Sequence, residues 1–350
     1  MSIEALDRAS IATVDTSDQL TDVLALPEHL RDAVWKAESA GMQPWDSPAG
    51  LVVAGMGQSA MGGQLAAVAL GDHASRPVST ARAYGLPVWT TPETTVLCCS
   101  YSGNTEETLA SYEAAGALGA KRVVTTAGGR LAELARADGV PVLPMAGGLR
   151  APTAIGYAFV AALEVAALCG VGPRMTSEID VAAEHLEELV SSWGPDARDD
   201  SPAKELARAL QGTVPVIAGA SLTAPLARRM KAQLNTVARV PAFASELPDV
   251  DHTELSGWAG AEGLGPFSVV FLEDTDTHPR VSARIALTRD MVEAQRLETH
   301  MVASRGQTTV ERVLSLVLFG DLVAHYLGAL RGVDPGTPSD VDRLKEELTA

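Results

Sequence analysis

The chain has 350 residues and a formal net charge of −17, with 46% apolar residues, 20% charged residues and three cysteines. This length allows one large domain or two of ordinary size, and the apolar content can fill a core, which excludes a disordered chain and a disulfide scaffold. Acidic residues in excess along the whole chain argue against nucleic acid or an anionic membrane as the main partner. The N-terminus is acidic and has no apolar segment typical of a secretory signal, so we expect a cytoplasmic protein.

Strand-like apolar runs alternate with helical periodicity in the first half of the chain. The run at 50–55 passes through a Gly-rich turn into a helix from about Ala60, and similar units follow at 95–100 and 122–126. Repeated units of this kind predict an α/β fold, a parallel sheet with helices on both faces. The stretch Val214–Ser221 loosely repeats Val52–Ser59, so we expect two similar αβα halves.

The predicted domain organisation follows from composition along the chain. The most apolar stretches, 157–172 and 313–330, carry acidic residues and are interpreted as buried helices, not membrane spans. An acidic, amphipathic stretch contains a break at Trp193-Gly194-Pro195. We predict an N-terminal helical segment (1–48), a first subdomain (49–176), a linker helix (177–203) and a second subdomain with C-terminal helices (204–350).

The first candidate site is the Gly-rich turn Gly55–Gly63, between a strand and a helix. Its glycines let the backbone turn tightly and present amides to an anion, which the helix dipole favours. Gly55, Gly57 and Ala60 also fit the dinucleotide pattern G-x-G-x-x-A, but the next strand ends without the acidic residue expected there. A nicotinamide-dependent enzyme and a ligand-free turn therefore remain as alternatives.

The second candidate site is the segment Ser100–Thr105, where three hydroxyl groups surround a glycine just before a helix. Hydroxyls and unpaired helix-start amides suit the oxygens of a phosphate monoester. The alternative interpretation is an ordinary helix cap by Thr105. No motif with metal-ligand spacing and no nucleophile elbow occurs in the sequence, so we expect neither a metal nor a cofactor.

The S-x-S-G-x-T pattern of this segment resembles the phosphate loop of the sugar isomerase (SIS) fold. Three later stretches, 233–235, 246–258 and 320–335, resemble the bifunctional phosphoglucose/phosphomannose isomerase family. The resemblance implies two SIS-type αβα sandwich subdomains with doubly wound, flavodoxin-like parallel sheets. It further implies a homodimer, no metal, and interconversion of fructose 6-phosphate with glucose or mannose 6-phosphate through an enediol.

The resemblance also implies site residues. The residues that would bind the phosphate and the adjoining sugar are Gly57, Gln58, Ser59, Ser100, Ser102 and Thr105. His252 would assist ring opening from across the subunit boundary, and Lys345 would line the site. Gln58 stands where the family has glycine.

Two positions depart from the family pattern. Thr236 stands where the family has the glutamate base, and a threonine hydroxyl cannot take a carbon-bound proton at neutral pH. Pro152 stands where the family has an arginine for the enediolate, and Arg150 is a candidate to replace it.

Three carboxylates near His252 are candidates for the missing base: Glu246, Asp251 and Glu254. We prefer Glu254, whose alternative role is to orient His252 or to cap a helix. Two functions therefore stay open, a hexose 6-phosphate isomerase and a phosphosugar-binding sensor or regulator without turnover.

Overall fold

The computed structural model describes residues 3–261, 263–337 and 340–349, except for the side chains of Lys345, Glu346 and Thr349. The chain divides into two compact units, each with one parallel sheet. The first-sheet unit contains Ala25–Leu186 and Gly306–Val313. The second-sheet unit contains Met1–Leu24, Glu187–Arg305 and Leu314–Ala350.

Helices precede, connect and follow the strands of both sheets. In the described part of the chain they are α1 (Arg8–Ala12), α2 (Gln19–Leu24), α3 (Leu26–Ser39), α4 (Gly57–Leu70), α5 (Glu106–Leu118), α6 (Gly129–Ala137), α7 (Ile155–Leu168), α8 (Thr176–Trp193), α9 (Pro202–Ala209), α10 (Ala224–Thr236), α11 (Val250–Thr253), α12 (Pro279–Glu293), α13 (Thr309–Leu330) and α14 (Asp340–Thr349). Helix α4 begins earlier than the expected Ala60, because Gly57 adopts a φ of +52° and turns the chain into the helix at once.

The first sheet has the strand order β2-β1-β3-β4-β5, with all strands parallel. Its strands are β1 (Leu51–Ala54), β2 (Val78–Ala81), β3 (Thr95–Cys99), β4 (Lys121–Thr126) and β5 (Val142–Pro144). Strands β1 and β3 are buried along their whole length, as expected for central strands covered on both faces. The strand order reverses between β1 and β3, and a doubly wound sheet opens a ligand crevice at the carboxyl ends of such a strand pair.

Glycines bring α4 close to its neighbours in the first-sheet unit. A Cβ at Gly63 would lie 2.7 Å from the Cβ of Val53 on β1. A Cβ at Gly62 would lie 2.5 Å from the Cβ of Ala158 on α7. The helix that follows the first Gly-rich turn is therefore held directly against the central strand.

The second sheet has the order β7-β6-β8-β9, again fully parallel. Its strands are β6 (Val214–Ala220), β7 (Phe243–Leu247), β8 (Phe267–Glu273) and β9 (Glu298–Ala303). This arrangement repeats the β2-β1-β3-β4 part of the first sheet, with the first strand of each half in a central position. The predicted α/β fold, two doubly wound parallel sheets, is confirmed.

Helix α13 is the one described helix that is long and apolar enough to cross a membrane by length and composition. Its apolar window is entirely buried inside the protein, as in the core helix of a soluble protein. Helix α7, the other apolar stretch, is also buried over nearly its whole length. The interpretation of both stretches as buried helices is confirmed.

A buried charged pair joins α10 to α13 in the second-sheet unit. Arg229 Nη2 donates to Asp321 Oδ2 at 2.5 Å, and Gln233 Nε2 donates to Asp321 Oδ1 at 2.8 Å. The Arg229 and Asp321 side chains are 2% and 5% exposed. Since a buried charge without its partner is costly, this pair fixes the position of α10 against α13.

The substitution Asp321→Ala is expected to lower the free energy of unfolding by about 3 to 5 kcal/mol, because it removes the carboxylate that pairs with the buried Arg229 charge. The matched control is Asp196→Ala, which breaks the exposed Arg8–Asp196 pair and is expected to cost less than about 1 kcal/mol. Urea unfolding followed by circular dichroism measures both values. Equal losses in the two variants would contradict the structural importance of the buried pair.

Candidate functional site

Three hydroxyl groups gather in the loop that joins β3 to α5. Ser100 Oγ accepts a hydrogen bond from the Gly103 amide at 3.1 Å and lies 2.9 Å from Thr105 Oγ1. Ser102 Oγ accepts a hydrogen bond from the Asn104 amide at 3.2 Å. Ser100 is buried, Thr105 is half-buried and Ser102 is exposed. The loop therefore turns tightly around Ser100 and leaves two hydroxyls accessible from outside.

Glycines let this loop pack against the loop that follows β4. Gly103 has a φ of +68°, and a Cβ there would lie 1.8 Å from the carbonyl oxygen of Gly128. A Cβ at Gly129 would lie 2.2 Å from the Ser102 carbonyl oxygen. The Gly103 carbonyl accepts a hydrogen bond from the Leu131 amide at 2.8 Å. The neighbouring loop thus holds the hydroxyl cluster in place before any ligand binds.

The start of α5 presents backbone amides beside the hydroxyl cluster. Thr105 is the N-cap residue, with extended backbone angles, but its side chain makes no capping hydrogen bond. Its hydroxyl contacts Ser100 instead, so the interpretation of Thr105 as an ordinary side-chain cap is wrong. Glu106, in the first turn, accepts a hydrogen bond from the Tyr84 hydroxyl at 2.8 Å. The first-turn amides and the helix dipole favour an anion at this end of α5.

The turn that follows β1 lies against the end of β3. A Cβ at Gly55 would lie 2.6 Å from the Cys99 carbonyl oxygen, so the two strand ends approach as closely as a glycine allows. Burial raises the pKa of the Cys99 thiol to about 12, and a hydrogen bond with Ser59 opposes that shift. Ser59 is therefore in contact with the last residue of β3, immediately before the hydroxyl cluster.

The other residues of the first-sheet unit that were expected to bind the ligand lie in two turns. Gly57 is exposed and Gln58 is half-buried, both in the first turn of α4. Arg150 is exposed in the turn before α7, where its carbonyl accepts hydrogen bonds from the Thr153 amide at 3.0 Å and the Thr153 hydroxyl at 2.9 Å. The backbone at Arg150 is thus fixed, and its role towards a ligand stays a prediction.

His252 lies in the second-sheet unit, on the short helix α11 that follows β7, and its side chain is exposed. The carboxylate of Glu254 accepts a hydrogen bond from Ser245 Oγ at 2.6 Å. This contact ties the carboxylate back to β7. An exposed histidine at the carboxyl end of a strand is free of packing constraints and accessible to a partner or a ligand.

The two other candidate carboxylates are ion-paired. Glu246 accepts a hydrogen bond from Arg228 Nη1 at 2.8 Å. Asp251 is held by Arg284 Nη1 at 3.1 Å and by Thr288 Oγ1 at 2.8 Å. Each carboxylate is held in place by a positive charge, so taking up a carbon-bound proton would require breaking an existing pair.

The end of α10 borders a cavity of about 580 Å³ within the second-sheet unit. Thr236 Oγ1 donates to the Ala232 carbonyl at 2.8 Å, and Asn235 Oδ1 accepts from the Ala242 amide at 2.8 Å. The residues lining the cavity are Lys231, Asn235, Thr236, Arg239, Val240, Pro241, Ala242, Phe243, Asp340 and Val341. Sequence reasoning did not single out Lys231, Arg239 or Asp340. For Lys231, the sequence did carry a signal: Lys231 and Asn235 are one helical turn apart, which places them on the same face of α10.

Lys345 belongs to α14, but its side chain lies outside the described part of the structure. In the ranges that the structure describes, no group of three or more His, Cys, Asp or Glu side chains is placed to hold a metal ion.

The hydroxyl loop on a doubly wound sheet, together with a second sheet of the same strand order, defines a protein of the SIS class. Residues 199–348 match the model of the bacterial phospho-glucose isomerase C-terminal SIS domain. The fold is similar to the crystal structure of a hypothetical protein, TT0462, from Thermus thermophilus, with a TM-score of 0.72 at 16% identity, covering 98% of this chain and 92% of that one.

Two curated relatives extend over nearly the whole chain. The bifunctional phosphoglucose/phosphomannose isomerase of Caldicellulosiruptor bescii is 33% identical, over 93% of this chain and 97% of that protein. The protein of the same name from Aquifex aeolicus is 32% identical, over 90% of this chain and 94% of that protein. The chain belongs to the bifunctional phosphoglucose/phosphomannose isomerase family.

The substitution Gly103→Ala tests the packing of the hydroxyl loop. Gly119→Ala is the matched control, because Gly119 has a φ of +78° but no atom within 4 Å of the added Cβ. The control is expected to lose about 1 to 2 kcal/mol of unfolding free energy from backbone strain alone. Gly103→Ala is expected to lose about 1 to 3 kcal/mol more, from the collision with the Gly128 carbonyl, in urea titrations. A Gly103→Ala loss no larger than that of the control would show that the two loops are not tightly packed.

Proposed function

We propose that this chain is a sugar-phosphate isomerase that interconverts fructose 6-phosphate with glucose 6-phosphate or mannose 6-phosphate. The observation that carries the proposal is the hydroxyl cluster of Ser100, Ser102 and Thr105 at the start of α5. Hydroxyls and helix-start amides bind phosphate oxygens without a lysine. Family membership supports the same substrate class, since the relatives are named for phosphoglucose and phosphomannose.

The phosphate is proposed to bind to the accessible hydroxyls of Ser102 and Thr105 and to the first amides of α5, with Ser59 on the neighbouring turn. Ser100 is buried, and it would hold the loop in shape through its contacts with Gly103 and Thr105. These groups are neutral, so the helix dipole supplies the attraction for the phosphate charge. The site is preorganised because the Gly103 carbonyl accepts a hydrogen bond from the Leu131 amide, in the first turn of α6.

The reaction moves one proton between C1 and C2 through an enediol. It requires opening of the sugar ring, a base for the carbon-bound proton and positive charge near the developing oxyanion. We propose that His252 assists ring opening, as the family resemblance implies, since imidazole both accepts and donates protons near neutral pH. Arg150 and Lys345 are the proposed cations, with Arg150 replacing the arginine that Pro152 displaces.

The alternative function is a phosphosugar-binding protein without turnover, which the threonine at position 236 suggests. Identity of 33% with a named isomerase over nearly all of both chains favours the enzyme. A regulator that had lost its reaction would not need to keep a histidine such as His252 exposed beside the carboxyl end of β7. Glu254, bonded to Ser245, is retained in the proposal as a residue that shapes the His252 loop.

We further propose a homodimer in the cytoplasm. If His252 acts from across a subunit boundary, a single copy would lack a complete site. The cysteines Cys98, Cys99 and Cys169 are all free and buried, which suits a reducing compartment. Light scattering of the purified protein tests the dimer, and a monomeric mass would remove the role proposed for His252.

Turnover is tested by a proton NMR time course of the full chain with fructose 6-phosphate in D₂O. The expected result is the appearance of glucose or mannose 6-phosphate carrying deuterium at C2, with a rate strongly reduced by His252→Ala. Line broadening of the sugar signals with no aldose above background would instead establish the binding protein.

Phosphate binding is tested by Thr105→Val, which removes one hydroxyl and leaves the helix cap unaffected, since this side chain makes no capping bond. Loss of one hydrogen bond to a charged group is expected to raise the Kd for fructose 6-phosphate about 10- to 100-fold in calorimetric titrations. Thr213→Val is the control, because within the described ranges that hydroxyl bonds only to the nearby Leu210 carbonyl. An unchanged Kd for Thr105→Val would place the phosphate elsewhere.

A further inference from the structure

Helix α5 carries an acidic side chain at the point where the phosphate is proposed to bind. Glu106 is the first residue of the helix, directly after Thr105, and its side chain is exposed. The unpaired amides of this turn and the helix dipole attract a carboxylate as they attract a phosphate. An unrestrained Glu106 carboxylate would therefore occupy these amides itself and would repel the phosphate, which carries charge of the same sign.

A tyrosine from a neighbouring loop restrains this carboxylate. The hydroxyl of Tyr84, in the loop that follows β2, donates a hydrogen bond to Glu106 Oε2 at 2.8 Å. The bond raises the pKa of the Tyr84 phenol above its ordinary value, so the hydroxyl keeps the proton that it donates at neutral pH. Within the described ranges, no hydrogen bond joins the Glu106 carboxylate to an amide of α5. The carboxylate is thus held by the loop and not by the helix start.

The loop that carries Tyr84 is itself tied to the two neighbouring helices. Ser111 Oγ, buried on α5, lies 3.0 Å from the carbonyl oxygen of Gly85, the residue after Tyr84. Arg82 Nη2 donates to Gln64 Oε1 on α4 at 2.7 Å. These contacts fix the loop without the Tyr84 side chain, which is 66% exposed and adds little to the core. The Tyr84 hydroxyl is therefore suited to a role in binding more than to one in stability.

We infer that Tyr84 is a positioning residue for phosphate binding. Its hydroxyl holds the Glu106 carboxylate off the first amides of α5, so that these amides and the Thr105 hydroxyl stay open to the phosphate of the sugar. Tyr84 acts through Glu106 and needs no contact with the ligand. The inference rests on the proposed function, because it requires that the phosphate binds at the start of α5.

The test is a double-mutant cycle in the full chain, with Tyr84→Phe and Glu106→Gln. Tyr84→Phe keeps the ring and removes only the hydroxyl, which releases the carboxylate. We expect the Kd for fructose 6-phosphate to rise about 2- to 5-fold in calorimetric titrations at low salt, the range expected for one charge at a helix N-terminus. Glu106→Gln removes that charge, so its Kd is expected to be no higher than that of wild type. Adding Tyr84→Phe to Glu106→Gln is expected to leave the Kd unchanged.

The matched control is Glu107→Gln, which removes an acidic charge from the same turn. The Tyr84 hydroxyl has one proton and donates it to Glu106, so Glu107→Gln is not expected to suppress the effect of Tyr84→Phe. Ionic strength gives a second readout. At 1 M salt, where the Debye length is about 3 Å, the ratio of the Tyr84→Phe and wild-type Kd values is expected to become smaller. A merely structural role of the hydroxyl would give neither rescue by Glu106→Gln nor this dependence on salt.

The outcomes separate this inference from the proposed function. A rise in Kd for Tyr84→Phe that disappears in the Glu106→Gln background supports the positioning role. An unchanged Kd for Tyr84→Phe, or a rise that persists in the Glu106→Gln background, overturns that role and leaves the Thr105→Val test of the phosphate site unaffected. If wild-type protein does not bind fructose 6-phosphate, or if Thr105→Val binds it normally, the phosphate site at α5 and the role of Tyr84 are both overturned.

Discussion

The close approach of the carboxyl ends of β1 and β3 is the constraint on which the proposed phosphate site depends. Only a residue without a side chain fits at Gly55, because a Cβ would lie 2.6 Å from the Cys99 carbonyl oxygen. Closing this gap places Ser59 in contact with Cys99 and puts the start of α4 beside the loop that begins at Ser100. The strand order places this contact where a ligand is expected to bind, since β1 and β3 flank the point at which a doubly wound sheet opens a crevice.

In the second-sheet unit, the corresponding constraint is the burial of a charged network. Arg229 and Gln233 lie one turn apart on α10, and both bind Asp321. Helical periodicity then places Lys231 and Asn235 on another face, where they line the cavity. The buried pair thus determines which side of α10 is presented to the cavity, although its own atoms take no part there.

The local part of the site was predictable, because its contacts span few residues. Ser100, Gly103 and Thr105 bond to one another within a single turn, so the pattern of residues predicted the cluster. The carboxylates near His252 were less predictable. Proximity in sequence suggested a base, whereas tertiary contacts give Glu246 and Asp251 cationic partners. The domain boundaries at 48, 176 and 203 stay predictions.

The sequence by itself determined the alternation of strands and helices, the glycines at the strand ends and the hydroxyl pattern before α5. These features depend on periodicity and on hydrogen bonds between near neighbours, and the order of residues along the chain encodes both directly. Only the tertiary structure decided that Asp340 shares a cavity with Thr236. The chain forms β7, β8, β9 and α13 between these two residues, and their meeting depends on how those elements pack. No pattern in a short window of sequence carries that information.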